Sequence, residues 1–478
     1  MRGVWTTARV REAEDKVLAR TPEGALMRRA AHGVALHTMR LLRSTTGAVA
    51  GRRVVLLVGA GNNGGDALWA GAFLRKRSVG VTAVLLAPER AHAEGLEALL
   101  WAGGRIGTAE DLDSAHVVVD GIVGLSARGS LRPDAAALVS RVRAPIVAVD
   151  LPSGVDPDTG AVDGPAVDAQ VTVTFGALKP VHFLSPRCGE VHFVDLGLDL
   201  ADPDFEVFDT EDVGRAWPLP GPSDDKFTQG VVGIAAGSTT YPGAAVLSVG
   251  AAVRATSGMT RYAGPAADEV RQRWPEVVAT GSVEDAGRVQ AWVVGPGLGT
   301  GKASRDVVAS VLGAGVPTVV DADGITLLAE HPTLWDARDP EVPVLLTPHD
   351  REFARVAEPL GVDLGADRVA AARALAAKLN ATVLLKGHAT VIAAPDGRVA
   401  VNAARSHWLA TAGSGDVLSG LSGALLAAGL EPRLAGACAA FVHVRAGELA
   451  ASGAPTSASA IVDALPDAIR GVSRFRHA

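Results

Sequence analysis

Short apolar runs alternate with helical patterns along the first 200 residues. The runs at 53–58, 81–87, 116–120, 146–150, 170–175 and 191–195 have the length and β-branched content of strands, and helical spacing follows residues 66, 90 and 131. Apolar strands interleaved with helices predict a mostly parallel sheet covered on both faces. The alternation starts again further on, with strands at 231–236, 291–294, 318–321 and 344–346 and a long helix over 242–256. A β-rich piece, 383–401, precedes the final helices. Between the two series lies Trp217-Pro218-Leu219-Pro220-Gly221-Pro222-Ser223-Asp224-Asp225, where proline and glycine block helix and ladder alike. The pattern predicts two α/β domains, residues 1–215 and 226–478, joined by a linker at 216–225, with the first doubly wound.

Composition agrees with this division. A chain of 478 residues is too long for one ordinary core. With 48% hydrophobic, 20% charged and only 4% aromatic residues, it reads as a globular protein packed from small side chains. The net charge of −7 gives no basic footprint for nucleic acid. Cys188 and Cys438 are too far apart in the chain to make a disulfide framework or a zinc site by themselves, and read as buried thiols in a reducing compartment. The N-terminus MRGVWTTARVREAEDK lacks a signal-peptide core. The apolar stretch 417–430 is too short and too rich in Gly and Ser to span a bilayer. A cytoplasmic protein without nucleic-acid or membrane partners is expected.

Candidate chemistry sits at the predicted strand ends. Val58 to Leu68 read VGAGNNGGDAL, a glycine turn between a strand and a helix. Backbone N–H groups at such a helix N-terminus grip an anion or diphosphate. Gly59, Gly61 and Gly64 satisfy the dinucleotide fingerprint, but the second strand ends Leu86-Ala87-Pro88-Glu89, a poor ribose-binding acid, which counts against a nicotinamide dehydrogenase. Asp120 ends the third strand and Asp150 the fourth, followed by Leu151-Pro152-Ser153-Gly154. Taken singly, these are turn-forming residues. Parallel strands bring their carboxyl ends to one crevice, where Asn63, Asp120 and Ser153 supply oxygens suited to a hard cation. Asp150 is the best-placed acid/base group there, with Lys179 a possible partner.

The second half has its own glycine turn, Gly413-Ser414-Gly415-Asp416, leading into an apolar helix. Asp416 can take a proton from a substrate hydroxyl while the turn's N–H groups steady a phosphoryl group, or it can simply cap the helix. Strand ends also carry Gly295-Pro296-Gly297-Leu298-Gly299, the paired acids Asp321 and Asp323, Thr347-Pro348-His349 and Lys386-Gly387-His388-Ala389-Thr390. The paired acids suit magnesium or a turn. Tyr241-Pro242-Gly243-Ala244-Ala245 opens a helix with small residues that a ligand can approach closely.

Over residues 10–205, NNGGD, the Asp120 strand end and AVDLPSGVDPDTG resemble the epimerase domain of the NAD(P)HX repair enzymes, which interconvert the C6 epimers of hydrated NADH or NADPH. The resemblance implies that Asn62, Asn63, Gly64, Gly65 and Asp66, with Gly124, Leu125, Ser126, Ala127, Arg128, Gly129 and Ser130, line the hydrated nucleotide. It places Asp150 against the reacting part and gives potassium to Asn63, Asp120 and Ser153. Two positions depart. Ala67 stands where the family usually has glycine, which would make this half slow or inactive if the methyl crowds the ligand, and GIVGLSARGS is a loose version of the family's loop.

Over residues 226–470, GSTTYPGAAVLSVGAAVRA, VVGPGLG, VVDAD, LLTPHDREF, LKGHATVI and ATAGSGDVLSG resemble the ADP- or ATP-dependent NAD(P)HX dehydratases, of ribokinase-like fold. By position, Ala244, Gly297 or Gly299, His349 and Asp416 would contact the hydrated nucleotide. Lys386, Gly387, His388, Ala389, Thr390 and Gly415 would contact the adenine nucleotide. Ser414 replaces the usual threonine, and Thr326 stands where the family tends to have asparagine. The implied whole is a Rossmann-like three-layer sandwich followed by a ribokinase-like domain, taking NADHX or NADPHX with ADP or ATP, using potassium and magnesium, and assembling as a homo-oligomer. A vitamin-type kinase fused to a nucleotide-binding module stays open as the alternative.

Overall fold

The computed structural model describes residues 1–473 apart from 126–128, 257 and 405–406. Two compact units are present, Gly3–Asp204 and the chain from Phe205 onward, the latter joined by Met1–Arg2. Each is built around a predominantly parallel sheet.

In the first unit the sheet runs, edge to edge, Arg105–Ile106, Gly80–Leu85, Arg53–Val58, Val117–Gly121, Ile146–Val149, Val171–Phe175 and Glu190–Val194. All neighbours are parallel. The chain works outward from Arg53–Val58 to one edge, then returns to pair Val117–Gly121 with that same strand on its other side. Helices therefore cover both faces, and a crevice opens at the carboxyl ends where the winding reverses. The glycine turn after Val58 lies at that reversal. Helix Ala25–Thr46, which buries Val34, Ala35 and Leu42, and helix Asn62–Arg75, which buries Leu68, Ala70 and Leu74, share one apolar cluster with the strands.

The second unit repeats the principle with a different order. From Val231–Ala235 the chain adds Met259–Ala263 and Val278–Thr280 on one side, then Ala291–Val294, Thr318–Val320, Val344–Leu346 and Thr382–Leu385 on the other, all parallel. Ala389–Ala393 and Val399–Ala403 then continue antiparallel. This hairpin is the expected β-rich piece, and the chain leaves it into helix Ser414–Ala427. That helix crosses helix Pro242–Ala255 so closely that a methyl at Gly420 would meet the Ser248 carbonyl oxygen at 2.0 Å.

The units divide earlier in sequence than the proline-rich stretch. Phe205–Val207 pairs in parallel with Val399–Ala403, and Phe208, Val213 and Trp217 are buried in the second unit's core. Residues 205–216 thus belong with the second half because that is where their apolar side chains are covered. Helix Pro432–Ala451 is the one described helix long and apolar enough to cross a membrane, and 61% of its apolar window is buried, with Cys438 and Val442 inside the core.

Candidate functional site

The crevice of the first unit is built on two tight turns. Asp150 follows strand Ile146–Val149 and adopts φ +67°, closed by a Leu151 N–H bond to the Val149 carbonyl at 2.9 Å. A left-handed conformation at a non-glycine residue costs on the order of 1 kcal/mol, and such strain concentrates at functional positions. Gly176 makes the matching turn after Val171–Phe175, with Ala177 N–H on the Phe175 carbonyl at 2.7 Å. It swings Lys179 back under Asp150.

The Lys179 ammonium then donates to Asp150 Oδ1 at 2.5 Å, Thr174 Oγ1 at 3.1 Å and the Phe175 carbonyl at 3.0 Å. Thr174 donates to the same Asp150 oxygen at 2.9 Å. Lys179 is 1% exposed and Asp150 4%. His182 closes the back of the site. Its Nδ1 accepts the Lys179 amide at 3.0 Å, so its Nε2 carries the proton and donates to the Asp150 carbonyl at 2.8 Å. Burial, helped by the Lys179 charge, lowers His182 to about 4, in keeping with a neutral ring.

Two further carboxyls share this space. Asp66 is buried, its Oδ1 has no partner among the described residues, and burial with the nearby charges of Asp150 and Glu14 raises it well above the ordinary carboxylate range. Glu14, from helix Thr7–Leu18, is raised chiefly by burial. Three acids share the space around one lysine, and burial raises two of them, Asp66 and Glu14.

Beside it lies an oxygen cluster. Asp120 Oδ1 accepts from the Ser153 hydroxyl at 2.7 Å and the Ile122 amide at 3.2 Å, while Oδ2 accepts the Ser153 amide at 2.9 Å. Asn63 donates its amide hydrogens to the Val123 and Val149 carbonyls at 3.0 and 2.7 Å. Its Oδ1 then lies over Gly124, where a methyl would approach it to 2.3 Å. Asn62 to Asp66 form the opening of helix Asn62–Arg75, whose cap, Gly61 at φ +120°, offers no side-chain acceptor. Among the described residues no side chain caps the first amides of this helix. Leu125 packs against the apolar cluster of Leu151, Val155, Val181 and Cys188, and Ser130 lies against Gly164, where a methyl would meet its Cβ at 2.9 Å. Gly129 takes φ +80°. Ser126, Ala127 and Arg128 lie outside the described residues.

Ala67 faces the core, away from this crevice. It is fully buried, and a methyl on Gly121 of the adjacent strand would meet its Cβ at 2.6 Å and the Asn63 carbonyl at 2.9 Å. The side chain occupies helix–sheet space. We therefore expect Gly121→Ala to destabilise the first unit by about 1–3 kcal/mol through overpacking, read as a lower urea midpoint. Ala67→Gly should cost about 1 kcal/mol with no gain in activity. A faster Ala67→Gly enzyme would show that the methyl crowds the ligand.

In the second unit Asp416 stands in the first turn of helix Ser414–Ala427, behind Gly413 at φ +83°. It does not cap the helix: no side-chain cap bond forms, and among the described residues its carboxylate takes no hydrogen bond. Burial, reinforced by Asp321 and Asp323 and opposed by Lys386, raises it to about 7. Lys386 donates to Asp321 Oδ1 at 2.8 Å and lies 3.8 Å from Glu352. Ser419 holds the other Asp321 oxygen at 2.6 Å, and Asp323 accepts the Gly299 amide at 2.7 Å. The two acids flank Ala322, held at φ +50° and ψ −120°, a conformation that L residues rarely adopt.

A methyl at Gly415 would sit 3.6 Å from the Lys386 ammonium, so the helix opening and the lysine share one space. A cavity of about 760 Å³ extends from there, lined by Lys386, Gly387, His388, Thr390, Ser414 and Gly415 and reaching His349, His407 and His443. Ala389 turns its methyl into the sheet, as the neighbour of two cavity-facing residues on a strand must. Asp416 and the facing pair Ala244 and Gly297 are outside this lining; a methyl at Gly297 would meet the Ala244 Cβ at 2.7 Å.

His349 caps helix Asp350–Ala357 through Nδ1, which accepts the Arg351 and Glu352 amides. Ser414 contacts the Nε2 of buried His443 at 3.3 Å, and burial lowers that histidine to about 4. Thr326 accepts from Arg355 at 2.6 Å. Among the described residues no group of three or more His, Cys, Asp or Glu side chains forms a metal cage.

Comparison with known proteins gives these two sites a common context. A family model described as YjeF-related protein N-terminus matches residues 23–181, and one described as NAD(P)H-hydrate dehydratase matches residues 232–467. The chain is 54% identical to the bifunctional NAD(P)H-hydrate repair enzyme of Mycobacterium leprae, over 98% of this chain and 99% of that one. The chain belongs to the bifunctional NAD(P)H-hydrate repair enzyme family. The member from Escherichia coli strain K12 is 34% identical over 84% of this chain and 81% of its own. Among solved structures, a ribokinase-like superfamily protein from Enterococcus faecalis aligns with a TM-score of 0.50 at 24% identity, over 58% of this chain and 99% of that one. That likeness concerns the fold.

Sequence reading named Asp150, Asp416 and the glycine turns as candidates but passed over several residues that lie beside them. Glu14 lies in an N-terminal helix that the strand–helix alternation does not announce. His182 and Ser419 are single polar residues in apolar surroundings. Only the distances mark them.

Proposed function

We propose that the chain repairs hydrated nicotinamide nucleotides, with epimerisation of (R)- and (S)-NAD(P)HX in the first unit and ADP- or ATP-dependent dehydration of the (S) form in the second. The observation that supports it most is Asp416, a carboxylate without a hydrogen-bond partner among the described residues, raised to about 7, at an open helix N-terminus beside Lys386.

In the second unit Asp416 takes the proton of the C6 hydroxyl as that oxygen attacks the terminal phosphorus of the nucleotide. The Ser414–Asp416 amides and Lys386 hold the phosphoryl charge. Phosphate then leaves C6 with the bonding pair while C5 loses a proton, and the C5–C6 double bond forms. The 760 Å³ cavity has room for the adenine nucleotide, with Lys386, Gly387, His388 and Thr390 along it. Asp321, Asp323, Glu352 and Asp416 outnumber Lys386, and this acid surplus fits a magnesium ion arriving with the phosphates.

In the first unit Asp150, held by Lys179, is the base and the opening amides of helix Asn62–Arg75 take the diphosphate. Asn63, Asp120 and Ser153 offer hard oxygen donors that would suit potassium, and Gly124 leaves the Asn63 Oδ1 uncovered because any side chain there would clash with it. Bound there, the cation would supply positive charge beside the nucleotide. The free, buried thiols of Cys188 and Cys438 suit a reducing cytoplasm.

The test is the return of NADH absorbance from a mixture of both NADHX epimers with magnesium and potassium, with ADP or ATP in separate runs. Complete recovery well above the spontaneous epimerisation rate, with stoichiometric free phosphate, is expected. Recovery of one epimer alone would remove the epimerase assignment. A stable phosphoester in place of NADH would make the second unit a kinase.

A further inference from the structure

Lys386, the lysine assigned above to the phosphoryl charge, stands one residue beyond strand Thr382–Leu385, past its last paired position. Its main chain must find partners elsewhere. The Lys386 amide donates to the Pro348 carbonyl at 2.8 Å. Its carbonyl accepts from Arg368 Nη2 at 2.8 Å, and Arg368 Nη1 donates to Asp350 Oδ1 at 2.7 Å. The segment 348–350 therefore holds Lys386 from both sides, directly at one end and through a guanidinium at the other. Gly387 makes room for this bridge, because a methyl there would meet Arg368 Nη2 at 2.8 Å and its Cζ at 3.3 Å. Arg368 is itself anchored as the first residue of helix Arg368–Leu379. The Asp367 cap of that helix accepts the Ala370 amide at 2.9 Å, and Val369, Ala372, Leu375 and Ala376 are buried.

The bridge joins two parts of the cavity wall. Asp350, Lys386 and Gly387 line the 760 Å³ cavity, and Arg368 is outside the lining. An ion pair to a carboxylate that is 57% exposed is worth little by itself. A planar fork that makes two charge-assisted bonds at once fixes direction as well as distance. From this held main chain the Lys386 side chain runs to Asp321, so a shift of the turn would carry the ammonium with it. We propose that Arg368 is a positioning residue of the dehydration site, setting the Lys386–Gly387 turn so that the ammonium meets the phosphates of the adenine nucleotide. The inference rests on reading the second unit as a nucleotide-dependent dehydratase. Its effect should fall on the nucleotide and spare the hydrated substrate. Asp416, Ala244 and Gly297 are outside the cavity lining, and His349 is held independently, its amide on Glu352 at 2.8 Å.

The experiment is calorimetric titration of the full chain with ADP and magnesium, beside dehydration kinetics in which nucleotide and NADHX are varied in turn. Arg368→Met should weaken ADP binding and raise the nucleotide KM about tenfold, the scale of one lost charge-assisted hydrogen bond. The KM for NADHX and the epimerisation rate should stay at wild-type values. Arg368→Lys should recover only part of the loss, since an ammonium does not reproduce the two-pronged fork. Asp350→Asn, at a position too exposed to endanger folding, should weaken ADP binding less. Added to Arg368→Met it should cost nothing more, because both act through one link. An arginine that only supported the fold would lower the urea midpoint and act on both substrates alike. Unchanged ADP affinity in Arg368→Met would overturn the proposal, as would a loss shared equally with NADHX or an additive double variant. If Arg368→Met does not fold, Asp350→Asn at wild-type ADP affinity overturns it instead. A wild-type chain that neither binds ADP nor restores NADH would sink the dehydratase reading and this inference together. An active wild type with an indifferent Arg368→Met would sink this inference alone.

Discussion

Asp416→Asn should abolish nucleotide-dependent dehydration and leave epimerisation at the wild-type rate. Removing a positioned general base typically costs about 10²–10⁴ in rate. Lys386 already bonds to Asp321, and both Asp321 oxygens are occupied. The asparagine is isosteric, and among the described residues the wild-type carboxylate makes no hydrogen bond to lose, so the variant should fold. It should even gain stability at neutral pH. With Asp416 raised from 3.8 to about 7, the native state keeps a proton that the unfolded chain gives up. Stability therefore falls as pH rises from about 4 to about 7 and levels off above. Asparagine removes that fall. The dehydration rate of the wild-type enzyme should move the other way, rising through about pH 7 as the base ionises. A variant that dehydrates at a tenth of the wild-type rate or faster would take the base assignment away from Asp416.

Lys179→Met is the second large effect, and it falls on stability as well as activity. The ion pair to Asp150 is almost wholly shielded from water, and deleting one partner of such a pair typically costs about 3–5 kcal/mol because the other charge is left buried. Here the cost should be at the upper end, since Asp66 and Glu14 already face Asp150. The loss should shrink at low pH, because a buried carboxylate without its cation takes up a proton. Epimerisation should disappear while dehydration of the (S) epimer continues, the two sites lying in different compact units. Combining Lys179→Met with Asp150→Asn separates the effects. The uncharged pair should recover most of the stability and none of the epimerisation. Chemical denaturation and epimer-resolved chromatography read the two quantities. A single variant as stable as wild type at pH 7 would show that water reaches the pair.

How much of this was open to inspection in the sequence depends on what each feature rests on. The central strands Arg53–Val58, Ala291–Val294 and Val344–Leu346 match the apolar runs that announced them, because a strand buried on both faces must be apolar throughout. Met259–Ala263, with Thr260 and Arg261 in its middle, and the three-residue Val278–Thr280 lie toward the sheet edge, where that demand lapses and the pattern fades. The proline-rich stretch at 217–225 looks like a divider because proline breaks local structure. The units actually separate at Asp204 and Phe205, since burial of Phe208, Val213 and Trp217 is decided by distant partners.

The sites divide in the same way. Glycine turns at strand ends and the acids Asp120, Asp150 and Asp416 could be read in order along the chain, because parallel sheets place strand ends in one crevice whatever the details. The sequence alone determined the α/β class, the two-site plan and the family to which its motifs belong. The surroundings that shift each acid were settled by tertiary structure alone. Lys179 reaches Asp150 only because Gly176 turns the chain back, and Asp416 is raised to about 7 only because Asp321, Asp323 and apolar surroundings converge on it. The direction of the Ala67 methyl was likewise fixed by its packing on Gly121. Proton affinity and steric fit depend on distances of a few ångströms between residues far apart in the chain, and a linear pattern holds no such distances.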